Sequence, residues 1–279
     1  MKKLVLLLVF LFVLGTVHVP SYAKSEFFAP VCITVNGNYV NSQNRGYLKS
    51  GVTMVSLRDI GDIFSAKVGW DQKTSTASIT TDTKDITVTK NKKTATVNGK
   101  NVALDSGATI VKDRIFVPLR FLSENLGAKV TWDEETITAH ITSSAAAVPS
   151  HLRGAAPYTK DELYWLSRIV SAESSGEPDN GKVAVANVVL NRVESQEFPN
   201  TIYGVIFDRK YGVQFTPVSN GAIYNAPTTN SIIAAKRALL GEDVSRSCLY
   251  FLNPVTATNS WIIKNRQFYK TIGSHDFYL

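Results

Sequence analysis

Three separate motifs in the first half of the chain recur at a single spacing of 62 residues. Val35-Asn36-Gly37 returns as Val97-Asn98-Gly99. Val52-Thr53-Met54-Val55-Ser56-Leu57-Arg58 returns as Arg114-Ile115-Phe116-Val117-Pro118-Leu119-Arg120. Ala66-Lys67-Val68-Gly69-Trp70-Asp71 returns as Ala128-Lys129-Val130-Thr131-Trp132-Asp133. One offset shared by three segments marks an internal duplication, so both copies must satisfy the same folding rules. Each copy carries an Asn-Gly hairpin signal, an extended apolar piece ending in Leu-Arg, and a short helix over 58–64 or 120–126. A Lys-Val-x-Trp-Asp strand and a Thr-rich, period-two strand follow, and 82–89 adds a further strand. A β-rich duplicated domain is therefore expected over residues 31–143. Trp70 and Trp132 can be read as sugar-stacking platforms or as the core of each copy. The duplication favours the core, because a structural role must be met twice.

Ahead of this unit, Lys2 and Lys3 precede an apolar run over 4–17, and Ser21-Tyr22-Ala23 supplies the small residues of a cleavage site. Residues 1–23 are expected to be a signal peptide, since the run is short for a span of about 20 residues. Removing it takes the formal net charge from +7 to +5. A basic exported protein suits an anionic envelope, although a merely solvated surface has the same charge. Cys32 and Cys248 are expected to stay unpaired, because two distant cysteines make no framework. Behind the repeat, Ser143-Ser144-Ala145-Ala146-Ala147-Val148-Pro149-Ser150 has linker composition, and a linker is expected over 144–157.

The second half opens on Thr159-Lys160-Asp161-Glu162, a capping box. Leu163, Leu166, Ile169 and Val170 then form the apolar stripe of a helix. Glu173 continues that stripe, three, four and seven residues beyond its last members. Gly176 and Pro178 end the helix. A desolvated carboxyl has a raised pKa, and an acid protonated near neutrality can protonate a glycosidic oxygen. A Glu paired with an arginine, or capping a neighbouring helix, fits the same pattern. Glu177, at the helix break, is expected to be more exposed and to be a helper at most. A second helix is expected over 181–193. Its Asn187 and Asn191, one turn apart, form a polar seam, a helix cap or an exposed edge. A further helix is expected over 230–240.

The blocks that follow carry a resemblance. Ser171-Ala172-Glu173-Ser174-Ser175-Gly176-Glu177, the run from Val183 to Val193, and Phe198-Pro199-Asn200-Thr201-Ile202-Tyr203-Gly204 resemble the spore-cortex-lytic, SleB-like cell wall hydrolases. Gln214-Phe215-Thr216-Pro217, Tyr250-Phe251-Leu252-Asn253-Pro254, Trp261 and Ile272-Gly273-Ser274-His275-Asp276 extend it over 158–279. The repeat, with its paired Leu-Arg and Trp-Asp elements, resembles the copper amine oxidase N-terminal-like domain. The implied fold class is α+β, a β-rich duplicated domain followed by a lysozyme-like α+β catalytic domain. The implied activity is cleavage of peptidoglycan glycan strands by an exported, wall- or spore-envelope-associated enzyme, often a lytic transglycosylase. Its catalytic glutamate falls on Glu173. Read from their own chemistry, Gln214 and Asn253 are expected to hydrogen-bond sugars, Phe215, Tyr250 and Trp261 to stack on sugar rings or to fill a core, and Glu177 to orient Glu173 or substrate. Ser174-Ser175 stands where many members have alanine and arginine, so that arginine is absent from the expected site.

No cofactor, metal or nucleic-acid partner is expected. Peptidoglycan glycan strands are the expected partner of the second domain, and wall attachment, protein contact or spacing remain open for the repeat. His140 is the only histidine of the repeat domain, and no His/Cys cluster supports a zinc amidase. Cys248 precedes an apolar run, where a small buried residue is the default reading over a nucleophile. A non-catalytic peptidoglycan-binding envelope protein is the rival from another class.

Overall fold

The computed structural model describes residues 29–210, 212–258 and 260–279. The expected signal peptide lies outside the described residues. Among the described residues no helix is long and apolar enough to cross a membrane.

The first domain holds thirteen strands in two sheets. The main sheet contains β1 (Ala29–Val35), β2 (Asn38–Tyr39), β3 (Gly46–Lys49) and β4 (Val52–Ser56) from the first copy. After the short helix α1 (Leu57–Ile63), the chain leaves for a five-stranded meander: β5 (Lys67–Asp71), β6 (Thr76–Thr80), β7 (Asp85–Thr89), β8 (Thr94–Val97) and β9 (Lys100–Ala103). It returns to the main sheet as β10 (Thr109–Val111) and β11 (Arg114–Pro118). Helix α2 (Leu119–Asn125) and strands β12 (Lys129–Asp133) and β13 (Thr138–Thr142) complete it, in the order β10-β11-β4-β3-β1-β13-β12.

The two copies are joined edge to edge within the main sheet. Strands β4 and β11 pair antiparallel with Val55 opposite Val117, Met54 opposite Pro118 and Ser56 opposite Phe116. Val55 and Val117 are equivalent residues, so a local two-fold axis passes between them. Tyr47 and Thr109, also equivalent, share a hydrogen bond of 2.7 Å across the same axis. Both Asn-Gly pairs form tight hairpins in which Asn36 and Asn98 take φ of 48° and their glycines 81° and 75°, as such a turn requires. The repeated Trp-Asp has a local reason too. Asp71 and Asp133 each accept the backbone N–H two residues on and the hydroxyl of Thr74 or Thr136, closing the same turn.

The tryptophans do not share one role. Trp132 is half-buried against the core, whereas Trp70 is 42% exposed. The expectation of two core tryptophans is corrected for Trp70: its strand β5 lies at the edge of the five-stranded meander, outside the main sheet.

The stretch over 144–157 is held against the first domain. Asn36 donates to the carbonyls of Ser143 and Ala146, and Ala147 N–H donates to Ile63 O. Ala146, Val148 and Leu152 are buried.

The second domain is built on α3 (Lys160–Ser174), α4 (Asp179–Glu194), α5 (Ile202–Phe207), α6 (Thr216–Asn220) and α7 (Thr229–Leu239). Strand β14 (Tyr250–Leu252), the short helix α8 (Trp261–Asn265) and strands β15 (Phe268–Ile272) and β16 (His275–Tyr278) follow, with β16 central in a three-stranded sheet. The capping box forms as its residues demand: Glu162 N–H donates to Thr159 Oγ1 at 3.1 Å, and Thr159 N–H to Glu162 Oε2 at 2.6 Å. Leu163, Leu166, Ile169 and Val170 are buried on the stripe facing α4 and α7.

Candidate active site

Glu173 sits in the last turn of α3, half-buried. Among the described residues, no hydrogen bond or ion pair holds its carboxyl. Burial alone pushes its pKa up to about 7, because a charge in that position loses water and gains nothing in return. The readings of Glu173 as an arginine partner or a cap for another helix are thereby set aside. Its neighbours on α3 are fixed in place: Ser174 Oγ donates to Val170 O at 2.6 Å, and Ser171 Oγ accepts Thr228 N–H at 3.1 Å. The second bond ties the turn before α7 to the turn of α3 that carries the acid.

Glu177 behaves oppositely. Glu177 is the less deeply placed of the two carboxylates, as expected, but it is not free. It accepts Ser274 N–H at 2.8 Å and the Ser274 hydroxyl, and His275 Nδ1 lies 3.9 Å away. Burial raises its pKa, but the two Ser274 bonds, His275 and Lys182 outweigh burial and hold it below the usual carboxylate value. Lys182 Nζ also donates to the Glu177 carbonyl. Glu177 therefore clamps the α3–α4 turn to the β15–β16 hairpin, and both carboxylate oxygens are engaged by Ser274.

The remaining expected residues fall into two groups. Tyr250 and Trp261 assemble around Arg266, whose Nη2 donates to Tyr250 Oη at 2.8 Å. The guanidinium lies 4.5 Å from the Tyr250 ring centre and 5.2 Å from that of Trp261. Trp261 is 47% exposed, so a face is open to a ligand. Gln214 is half-buried with its amide on Gly212 O, and Asn253 uses Oδ1 to accept Val255 N–H. Phe215 is corrected as a stacking platform: only 3% exposed, it packs 6.4 Å from Phe251 and belongs to the core. Phe251 in turn lies 5.3 Å from His275, so ring contacts lead from the 214–215 loop to the Glu177 clamp.

Several partners carry no local sequence signal. Arg192 is buried, donates Nε–H to Leu249 O at 2.7 Å, and lies 4.8–5.5 Å from the ring centres of Phe198, Phe215 and Tyr250. Burial lowers its pKa to about 10. Asn187 and Asn191 do form a seam, and it binds backbone: Asn187 bridges Glu242 O and Val244 N–H, while Asn191 donates to Arg246 O and Cys248 O. Tyr164, Trp165, Tyr203, Phe207 and Tyr224 make a further aromatic cluster, with Tyr203 and Tyr224 more than half exposed. Cys248 is fully buried and its thiol is pushed up to about 11 by burial, which leaves no thiolate for nucleophilic work.

Comparison with known proteins finds two matches along the chain. Residues 34–141 match the copper amine oxidase N-terminal domain, and residues 176–278 match the cell wall hydrolase family. The spore cortex-lytic enzyme of Bacillus cereus is 43% identical over 120 residues, covering 43% of this chain and 45% of that protein. The Bacillus subtilis (strain 168) spore cortex-lytic enzyme is 40% identical over 131 residues, covering 47% and 41%. The chain thus spans less than half the length of these curated relatives. Among solved structures, the catalytic domain of the germination-specific lytic transglycosylase SleB from Bacillus anthracis is 43% identical. The match covers 44% of this chain and 97% of that one, at a TM-score of 0.41. The second domain is thus similar to the cell wall hydrolases, and the first to the copper amine oxidase N-terminal domain.

Proposed function

We propose that the chain is an exported enzyme that cleaves peptidoglycan glycan strands, a lytic transglycosylase acting between N-acetylmuramic acid and N-acetylglucosamine, with spore cortex as its wall substrate. The observation that carries this is Glu173, a half-buried, unpartnered carboxyl with a pKa of about 7 at the end of a packed helix. Such a group is protonated in a useful fraction at neutral pH and reprotonates readily. Glu173 donates its proton to the bridging glycosidic oxygen. The 6-hydroxyl of the muramic acid then attacks the oxocarbenium-like centre while the Glu173 carboxylate takes that hydroxyl's proton, leaving an anhydro end.

This route needs one carboxyl. A two-carboxylate hydrolase needs a second acid free to act as nucleophile or base, and Glu177 is occupied by Ser274. That commitment favours transglycosylation. Tyr250 and Trp261 offer ring faces, and Gln214 and Asn253 amide groups, to the sugars.

The test is mass spectrometry of muropeptides after digestion of purified peptidoglycan, with and without muramic lactam. Anhydromuramic ends are expected from the parent. A fall of at least about 100-fold in their rate of formation is expected from Glu173→Gln, in line with the loss of a general acid. Reducing ends would replace transglycosylation by hydrolysis. Unchanged turnover in a folded Glu173→Gln would remove Glu173 from the chemistry.

A further inference from the structure

The first domain contains a groove of about 500 Å³ that the catalytic reading does not use. Its lining mixes apolar side chains of the main sheet and α2 with Asp105, Arg120, Trp132, Glu134 and, from the second domain, Thr229. This volume is in the range of a small-ligand site, and a lining that is nearly half polar suits a ligand rich in hydrogen-bonding groups.

The duplication provides an internal control. In the first copy Trp70 donates its indole N–H to Gln72 at 2.8 Å, closing the pair on itself. The equivalent pair in the second copy is Trp132 and Glu134. Among the described residues Trp132 Nε1 has no hydrogen-bond partner, and Glu134 has neither a hydrogen bond nor an ion pair. Both line the groove. Trp132 packs partly against the core and, together with Glu134, also lines the cavity. A ring face beside carboxylate and hydroxyl groups suits a sugar, whose C–H face stacks and whose hydroxyl and amide groups hydrogen-bond.

The position of the groove names the ligand further. Thr229 opens α7, and the preceding Thr228 N–H is bound to Ser171 Oγ, two residues before Glu173. One end of the groove thus adjoins the turn of α3 that holds the acid. We propose that this groove is an ancillary glycan subsite, binding N-acetylated amino-sugar units of the strand whose cleavage is assigned to Glu173; in that respect it rests on the proposed function. The first domain then holds the substrate strand beside the acid.

The test uses the full chain carrying Glu173→Gln, with 15N-labelled tryptophan. It is titrated separately with an N-acetylglucosamine hexamer and with a sugar-free stem tetrapeptide. The Trp132 indole resonance is expected to shift with the hexamer and not with the peptide, while Trp70 stays in place. Glu134→Ala, at an exposed position, keeps the fold and is expected to weaken the Trp132-detected affinity several-fold. Trp132→Ala, which removes the probe, is read instead by titration calorimetry with the hexamer and should lower the affinity on the order of 10-fold. A Trp132 resonance unmoved by the hexamer overturns the proposal, as does movement by the peptide alone or an unchanged affinity in Glu134→Ala and Trp132→Ala together. Muropeptide products from the parent chain are read separately. Absence of products with a shifted Trp132 retains the groove as a glycan site and removes only the catalytic reading.

Discussion

Glu173 and Glu177 stand four residues apart, yet their environments push their pKa values in opposite directions. Glu173 has burial without compensation, and Glu177 has burial with two hydrogen bonds from Ser274. Glycan cleavage that uses Glu173 as acid should lose kcat/KM about tenfold per pH unit above pH ~7, where the protonated fraction falls. The same shift has a stability consequence. A folded-state pKa raised from the ordinary ~4.3 to about 7 gives stability that is complete at low pH and lost as pH rises through 7. Glu173→Gln, which cannot ionise, should therefore match the parent near pH 4 and exceed it at pH 8 by up to about 3 kcal/mol. Thermal melts of the two proteins across that range check it, and a pH-independent difference would contradict the assigned pKa. The inward placement of Glu173 was legible in the 3.6-residue periodicity of one helix. The confinement of Glu177 was not, because Ser274 is 97 residues away and nothing near Glu177 encodes it.

At the scale of elements, local patterns were legible where the partners lie within a few residues. The capping box of α3 and the Asn-Gly hairpins both formed as their spacing requires. What the 62-residue repeat did not reveal is how its copies combine. Strands β5 and β6 of the first copy leave for the meander, while their counterparts β12 and β13 complete the main sheet beside β1. Equivalent sequences take different neighbours because only one pair can occupy that edge, and Trp70 and Trp132 diverge for the same reason. The clamp between the α3–α4 turn and the β15–β16 hairpin is likewise long-range, and it can be tested. Glu177→Ala should destabilise the protein by about 0.5–1.5 kcal/mol near neutral pH, the usual net worth of a hydrogen bond whose partner stays accessible to water. Because the Glu177 pKa is depressed, its contribution is present above the ordinary carboxylate value and disappears as pH falls below ~4. Denaturant titrations at pH 7 and pH 3.5 should show the difference between parent and variant shrinking at the lower pH. An undiminished difference would mean that the carboxylate charge plays no part in the clamp.

For the whole molecule, the decisive contact is one that polar-surface reasoning would place in solvent. Lys236, on α7, is fully buried and donates Nζ–H to Thr136 O and Ile137 O of the first domain at 2.8 and 2.7 Å. Ile137 takes a left-handed φ of 48° in the turn before β13, a conformation costly for a β-branched residue. Its equivalent, Ser75, has φ of 51°, so the turn demands the conformation and burial explains the isoleucine. Burial lowers the Lys236 pKa, and the two carbonyls are what make an ammonium tolerable there. Nearby, Cys32 Sγ lies 3.1 Å from Tyr158 Oη, a second bond between the domains. An exposed spacer would need neither contact, so the two domains are expected to unfold as one unit. Lys236→Ala removes both hydrogen bonds and leaves a cavity, and should cost about 3–5 kcal/mol. Lys236→Met refills the volume but strands the carbonyls, so a smaller loss of about 1–3 kcal/mol is expected. Scanning calorimetry should show one transition for the parent and, for Lys236→Ala, two, with the domain that owns Glu173 separating from the one that owns Trp132. A single unshifted transition in Lys236→Ala would mean that the ammonium does not couple them. The groove at Thr229 would then have to be held beside the acid by the remaining contacts alone.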